Sequence, residues 1–330
     1  MIATAGNAAQ TQTQAQTQAP LIVTVTMNPT IDIASQAQSV RPTHKLRTFA
    51  ERQDPGGGGV NVASVIHALG GRARALILAG GATGRALEEL LDEAGIVRET
   101  VPVAGRTRTS HTVTDASTGH EYRFIAQGPT VGEPEWQAML DLAARTEADW
   151  LIASGSLPAG VPEDFYARMA ETARTRGCRF VLDTSGPALR AGLAAGVELL
   201  KSSLTELESV AGRRLPDEAA QEQAALEIVR GGRARLVALT LGEKGAVLAW
   251  EHGILRLPAL DVVENGTVGA GDSFLAGMVM ALASGRTPED AFAWGVATGA
   301  ASVTAPGTAH PERVVVERLR GLILVATPPG

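Results

Sequence analysis

The sequence predicts an α/β fold: a parallel sheet covered by helices on both faces, with a small separate β-sheet above it. Three observations carry this reading. Short continuous apolar runs recur along the chain, and longer stretches with helical periodicity lie between most of them. Two segments then break the rhythm by alternating polar and apolar residues. With 45% apolar residues among 330, the chain can bury a sizeable core without staples.

Residues 1–20 are rich in Ala, Gln and Thr and carry no charged side chain, so they lack both the basic region of a secretory signal and the apolar content to pack. They read as a disordered tail, with the folded chain beginning at residue 21. The runs at 21–27, 74–80, 150–155, 179–183, 197–200, 235–241 and 246–250 read as buried strands. Val161-Pro162-Glu163-Asp164 and Thr287-Pro288-Glu289-Asp290 each put Pro at a first helical position, with carboxylates in the first turn. Gly177 suits the C-terminal cap of the first of these helices. Segments 30–50 and 107–126 lack a helix between strands, and the second holds the turn Asp115–Gly119, as a hairpin would. The two can pair into a small β-sheet that acts as a lid, an oligomer surface, or both; the plain alternative is two unrelated surface hairpins.

Charge narrows the function. Against 35 Asp+Glu stand 29 Lys+Arg, a net charge of -6, which argues against a general nucleic-acid surface. The single Cys178 rules out an internal disulfide framework and a CxxC metal site, and the six histidines show no HExxH. No apolar run reaches the ~18 residues that span a membrane. A soluble, cytoplasmic enzyme is the expectation.

The sharpest motif is Gly266-Thr267-Val268-Gly269-Ala270-Gly271-Asp272-Ser273-Phe274, running into an apolar helix. Small residues let such a loop turn tightly and aim successive N–H groups at one spot, and the helix adds its positive end. That makes an anion cradle suited to a transferring phosphoryl group, with Asp272 at its rim able to accept a hydroxyl proton. The plain alternative is a glycine-rich loop with Asp272 as a helix cap. A second motif, Asp54-Pro55-Gly56-Gly57-Gly58-Gly59-Val60-Asn61, leads straight into a helix. Its four glycines suggest close approach of a ligand to backbone, and Asn61 can donate to and accept from a sugar hydroxyl. Neither loop is a P-loop. Gly80-Gly81-Ala82-Thr83-Gly84 follows a strand but fails the GxGxxG spacing, so a dinucleotide site is set aside.

Together the two glycine motifs resemble the signatures of the ribokinase-like (PfkB-type) carbohydrate kinases, over residues 21 to about 310. Within that family, Asp54–Ala63, AGGATG at 79–84 and SGSLPAGV at 154–161 are most similar to the minor type of 6-phosphofructokinase. The resemblance implies a doubly wound, mainly parallel sheet flanked by helices, with a β-lid through which members often form homodimers. It implies Asp272 as general base, with Gly269, Ala270 and Gly271 as the anion hole. Asp32, Gly57, Gly58 and Asn61 match contacts to the sugar, and Arg108, Ser156 and Lys45 match residues near a phosphate. A planar guanidinium with paired donors suits that role. For ATP the matching positions are Lys201, Ser203, Glu206, Thr240, Leu241, Gly242, Gly245 and Thr267. Lys201-Ser202-Ser203 stands where the family has Lys-Pro-Asn, so a single hydroxyl replaces an amide. Glu206 matches the residue that orients a magnesium-bound water. Backbone carbonyls of Gly266, Val268, Ser302, Ala305 and Gly307 match a potassium site.

The implied reaction is transfer of the ATP γ-phosphoryl group to O1 of fructose 6-phosphate, with Mg²⁺. Relatives acting on fructose 1-phosphate or tagatose 6-phosphate usually carry Lys inside the first glycine run, which here is all glycine. Those two sugars, an unphosphorylated sugar or nucleoside, and a catalytically silent sensor are the alternatives.

Overall fold

A computed structural model describes residues 19–263, 269–304 and 310–326. Nearly all of the expected tail, together with Gly266, Thr267, Val268, Ala305 and Gly307, lies outside the described residues. The chain begins with β1 (Leu21–Thr26), β2 (Thr30–Ala37), β3 (Thr48–Gly56), α1 (Gly58–Ala68), β4 (Arg72–Ala79) and α2 (Gly81–Glu93). Then come β5 (Arg98–Pro102), β6 (Arg108–Asp115), β7 (Glu121–Ile125), α3 (Glu133–Arg145), β8 (Trp150–Ser154) and α4 (Phe165–Thr175). β9 (Arg179–Asp183), α5 (Gly186–Ala195), β10 (Val197–Ser203), α6 (Leu204–Ala211) and α7 (Glu218–Arg230) follow. The last part holds β11 (Ala234–Thr240), β12 (Ala246–Trp250), β13 (Gly253–Leu257), α8 (Ala270–Ala283), α9 (Pro288–Thr304) and α10 (Arg313–Ala326).

Among the described residues, nine strands form one sheet in the order β13-β12-β11-β10-β9-β8-β1-β4-β5. The ladder from β5 to β11 is parallel, and β12 and β13 are added antiparallel at one edge. Alternate residues of each inner strand enter opposite cores. Val23 and Val25 of β1 pack with Trp136, Phe165, Tyr166 and Leu189 from α3, α4 and α5. Ile22 packs with Val62, Leu275, Phe292 and Val316 from α1, α8, α9 and α10. Burial on both faces is why these strands read as unbroken apolar runs. Each fully buried Leu or Ile contributes about 1.5–3 kcal/mol.

The two rhythm-breaking segments do form a second sheet, in the order β3-β2-β6-β7. β2 pairs antiparallel with β3 and parallel with β6, and the Asp115–Gly119 turn closes the β6–β7 hairpin. Ile31 anchors this lid by its burial against Val60, Ile77 and Leu87 of α1, β4 and α2. The edge strands β5 and β13 were not expected, because each is only five residues long and its apolar run is broken by charge, Arg98 and Glu99 in β5 and Arg256 in β13.

Both Pro-marked helices form, but differently. Pro288 opens α9, and the Thr287 hydroxyl accepts from the Asp290 N–H at 3.3 Å. Pro162 instead precedes its helix: its carbonyl accepts from the Phe165 N–H at 3.0 Å, and α4 begins after that turn. Gly177 follows α4 with φ 68°, as a cap should. Cys178, next in line, is half-buried, and loss of hydration pushes its thiol up to about 11.

The first glycine run packs closely against the chain itself. A side chain on Gly58 would strike Ser154, and one on Gly59 would lie 2.7 Å from the Val25 carbonyl. Gly57 sits at φ 107° with Thr26 and Pro29 against it. The run therefore seats the start of α1 directly on the carboxyl ends of β1 and β8. Gly59→Ala should cost about 1–3 kcal/mol of stability through overpacking, read from urea unfolding; unchanged stability would show that the backbone has room to shift.

Candidate active site

The strands deliver their carboxyl ends to one edge of the sheet, where ligands bind in open α/β sheets. Asp183 ends β9, Lys201 and Ser203 lie near the end of β10, and Thr240 ends β11. Facing them is the first turn of α8, capped by Gly269 in the left-handed conformation at φ 77°. Asp272 lies in that turn and makes no capping bond. Its Oδ2 instead accepts from Nδ2 of Asn61, in the first turn of α1, at 2.8 Å. The two glycine motifs, 211 residues apart, thus meet through these two side chains.

The charges around this contact are tightly held. Lys201 Nζ donates to Asp183 Oδ1 at 3.0 Å, and Ser154 Oγ donates to the other carboxylate oxygen at 3.2 Å. Burial alone would push the Lys201 ammonium down, but Asp183, Asp272 and Glu206 reverse that and hold it above the ordinary lysine value. Lys201 also lies close beneath α8, with Nζ 3.0 Å from where a Gly271 side chain would begin. Loss of hydration, with Asp183 adding repulsion, pushes the Asp272 carboxyl up to about 6; Lys201 and Asn61 pull the other way. A carboxylate in that range is well placed to accept a proton near neutral pH.

Two cavities open at this turn. The larger, about 570 Å³, is lined by Thr240, Leu241, Gly242 and Gly245, by Ala270 and Gly271, and by an apolar wall. Sequence reasoning found the loop side of this cavity. It missed the wall, which includes Leu260 in the loop after β13 and Phe274 and Val296 on α8 and α9, because single apolar residues look like core. The smaller cavity, about 130 Å³, is lined by Asp32, Asn61 and Gly269, and also by Asp54, Ser302 and His310. Residues 269 and 273 face one cavity and 270 and 271 the other, so one helical turn walls both.

On the lid, Asp32 of β2 lies two residues along from Thr30, whose partner on β6 is Arg108. Burial raises the Asp32 carboxyl, while the Arg108 guanidinium and the Ser110 hydroxyl oppose the rise. Gly56 makes room for this carboxylate, since a side chain there would overlap it. Arg108 donates to the carbonyls of Asn28 (2.8 Å) and Ala126 (2.9 Å), and Ser156 meets the Asn28 amide. Lys45 is exposed on the segment between β2 and β3 and is not brought to either cavity. Ser203 serves as the cap of α6: its hydroxyl accepts from the Glu206 N–H at 3.4 Å, and Glu206 Oε2 accepts from the Ser203 N–H at 2.7 Å. Asp183 is the functional candidate that sequence reasoning did not single out; an Asp closing a buried strand was its only signal.

A buried carboxyl of raised proton affinity and a helix N-terminus on one turn, between two cavities, suit an enzyme that transfers a group between small molecules. Comparison with known proteins makes the class specific. Residues 24–314 match the pfkB family carbohydrate kinases, and the chain belongs to that family. It is a phosphotransferase. It is 42% identical over 313 residues to the ATP-dependent 6-phosphofructokinase isozyme 2 of Mycobacterium tuberculosis, covering 94% of this chain and 92% of the relative. It is 35% identical over 273 residues to the 1-phosphofructokinase of Xanthomonas campestris, covering 80% and 85%. The solved structure of phosphofructokinase-2 from Escherichia coli in complex with potassium superposes with a TM-score of 0.89 at 34% identity, covering 92% of this chain and 99% of that one.

The raised Asp272 carboxyl has a consequence for stability. Ionised Asp272 is disfavoured in the folded chain, so the cost appears as pH rises from the ordinary 3.8 through about 6. Asp272→Asn should therefore melt higher than the parent protein above pH 6, with the difference fading toward pH 4; an advantage that grew on acidification would show the opposite environment.

Proposed function

We propose that the protein transfers the γ-phosphoryl group of ATP to O1 of fructose 6-phosphate, forming fructose 1,6-bisphosphate. The observation that carries this reading is the single turn of α8 that walls both cavities, with Asp272 between them. The larger, apolar-walled cavity suits a flat nucleobase. The smaller one, lined by Asp32 and Asn61, suits a molecule rich in hydroxyls.

Asp272 takes the proton from the attacking O1 hydroxyl, and Asn61 keeps its carboxylate turned toward that oxygen. The amides of residues 269–272 at the helix N-terminus, with Lys201 beneath them, offset the charge that grows on the moving phosphoryl oxygens. Asp183 holds Lys201 in place. Asp32, Gly57, Gly58 and Asn61 bind the sugar, and Arg108 and Ser156 take its phosphate. Thr240, Gly242 and Gly245 line the nucleotide.

Magnesium would supply further positive charge to offset the charge of the nucleotide's phosphates. Glu206 would hold it through a water: one of its oxygens accepts from the Ser203 N–H, and the other takes no hydrogen bond among the described residues. Ser203 then serves by capping α6 and orienting Glu206. Of the potassium positions only Ser302, in the last turn of α9, is among the described residues, and it lines the smaller cavity.

The test is coupled ADP release with MgATP against fructose 6-phosphate, fructose 1-phosphate, tagatose 6-phosphate and ribose. Fructose 6-phosphate should give the highest kcat/KM, and a chelator should abolish turnover until Mg²⁺ is restored. Asp272→Ala should lower kcat by about 10²–10⁴-fold, the usual worth of a positioned base. Arg108→Ala should raise KM for fructose 6-phosphate and leave KM for MgATP unchanged. A different best sugar would replace the substrate assignment, and no turnover with any would favour a sensor.

The lid also supports a homodimer. Phe124 and Ile125 on edge strand β7 are 60% and 65% exposed; Tyr122 on β7 and Phe49 on the other edge strand, β3, are exposed as well, and so is Leu46 in the segment before β3. Such residues on an open edge call for a cover. Phe124→Glu should convert the dimer to monomer in sedimentation velocity; a monomeric parent protein would remove the proposal.

A further inference from the structure

The chain crosses between the main sheet and the lid four times: after β1, after β3, after β5 and after β7. Asn28 sits in the first crossing and is 5% exposed. Its amide Nδ2 donates to the Gln127 carbonyl in the fourth crossing at 2.9 Å. The same nitrogen donates to Ser156 Oγ, in the loop after β8, at 3.4 Å. Its backbone carbonyl accepts from the Arg108 guanidinium at 2.8 Å, where the third crossing enters β6. Arg108's other terminal nitrogen donates to Ala126, the neighbour of Gln127. Pro29 follows, which keeps Asn28 out of helical backbone and so directs that carbonyl.

Two polar atoms of this node, Asn28 Oδ1 and Arg108 Nε, are buried and have no hydrogen-bond partner among the described residues. Leaving such atoms unmatched costs on the order of 1–3 kcal/mol each, so a fold that keeps them needs a reason. Gly128 sits at φ 94° with the space for its side chain filled by Asn28 Oδ1, so the crossing is shaped around this amide.

We propose that Asn28 is a positioning residue: it ties Gln127 to Ser156 and thereby fixes Arg108 and Ser156 in one frame for the anionic end of the sugar substrate. This rests on the reading of Arg108 and Ser156 as phosphate contacts. Removing the amide frees Gln127 and, through it, the Ala126 carbonyl that anchors Arg108. The guanidinium keeps its charge but loses its fixed direction, so binding of the phosphate suffers while the chemistry at O1, set by Asp272, does not.

The experiment is steady-state kinetics of Asn28→Ala, Asn28→Ser, Arg108→Ala and the Asn28→Ala/Arg108→Ala double variant, with calorimetric titration of fructose 6-phosphate into each without nucleotide. Asn28→Ala should weaken fructose 6-phosphate roughly tenfold in KM and in Kd, the size of one lost hydrogen bond. Its kcat and its KM for MgATP should stay within about twofold. Asn28→Ser keeps a donor and opens a smaller gap, and should fall between. The double variant should bind no worse than Arg108→Ala, because the amide acts through the guanidinium. Full additivity, or a lowered melting temperature with unchanged KM and Kd for the sugar phosphate, would overturn the inference. Unchanged binding in Arg108→Ala would instead take Arg108 out of the phosphate site, and the inference would fall with that reading.

Discussion

The ion pair between Lys201 and Asp183 is the constraint around which the active edge of the sheet is organised. Both side chains are nearly buried, at 12% and 9% exposure. Removing one partner of such a pair costs about 3–5 kcal/mol, since it strands the other charge. The pair therefore pins the ends of β9 and β10 together and places a positive charge under the first turn of α8. That charge favours the ionisation of Asp272, which Asp183 and burial oppose. A carboxylate left alone in this pocket would be too reluctant to ionise, and one in water too weak a base. Their opposition sets its proton affinity between those limits.

Close backbone approach does the remaining positioning. α1 can bring Asn61 to Asp272 only because its first turn sits directly on the ends of β1 and β8. Gly58 and Gly59 permit that approach, and any larger residue would lift the helix away. The same economy appears at Gly271, which lets Lys201 reach the helix N-terminus, and at Gly56, which leaves space for Asp32. In each case the glycine permits a close contact within the chain that positions a side chain of the candidate site.

Much of this was legible in the sequence, for identifiable reasons. The inner strands are buried on both faces and so appear as unbroken apolar runs. The lid appears as two stretches of alternation that no helix interrupts. Asp272 and Asn61 stand out because they border glycine clusters that a structural loop would not need. β5 and β13 escaped notice because an edge strand buries less and keeps its charges. Asp183 and Asn28 escaped because their importance lies in partners far along the chain, 18 and 99 residues away for Lys201 and Gln127. No local pattern encodes such a pairing. The glycine run was noticed for its conformational cost, but its purpose became clear only when the atoms beside it were placed.

Cys178 has a practical value that its position after α4 does not advertise. Its thiol is half-buried and held protonated far above neutral pH, so it is a poor nucleophile toward alkylating reagents. It is also the only cysteine in the sequence. A second cysteine introduced at the tip of the β6–β7 hairpin would then be the one reactive sulfur in the molecule. A fluorophore or spin label attached there would report whether the small sheet moves against the main one in the otherwise native protein.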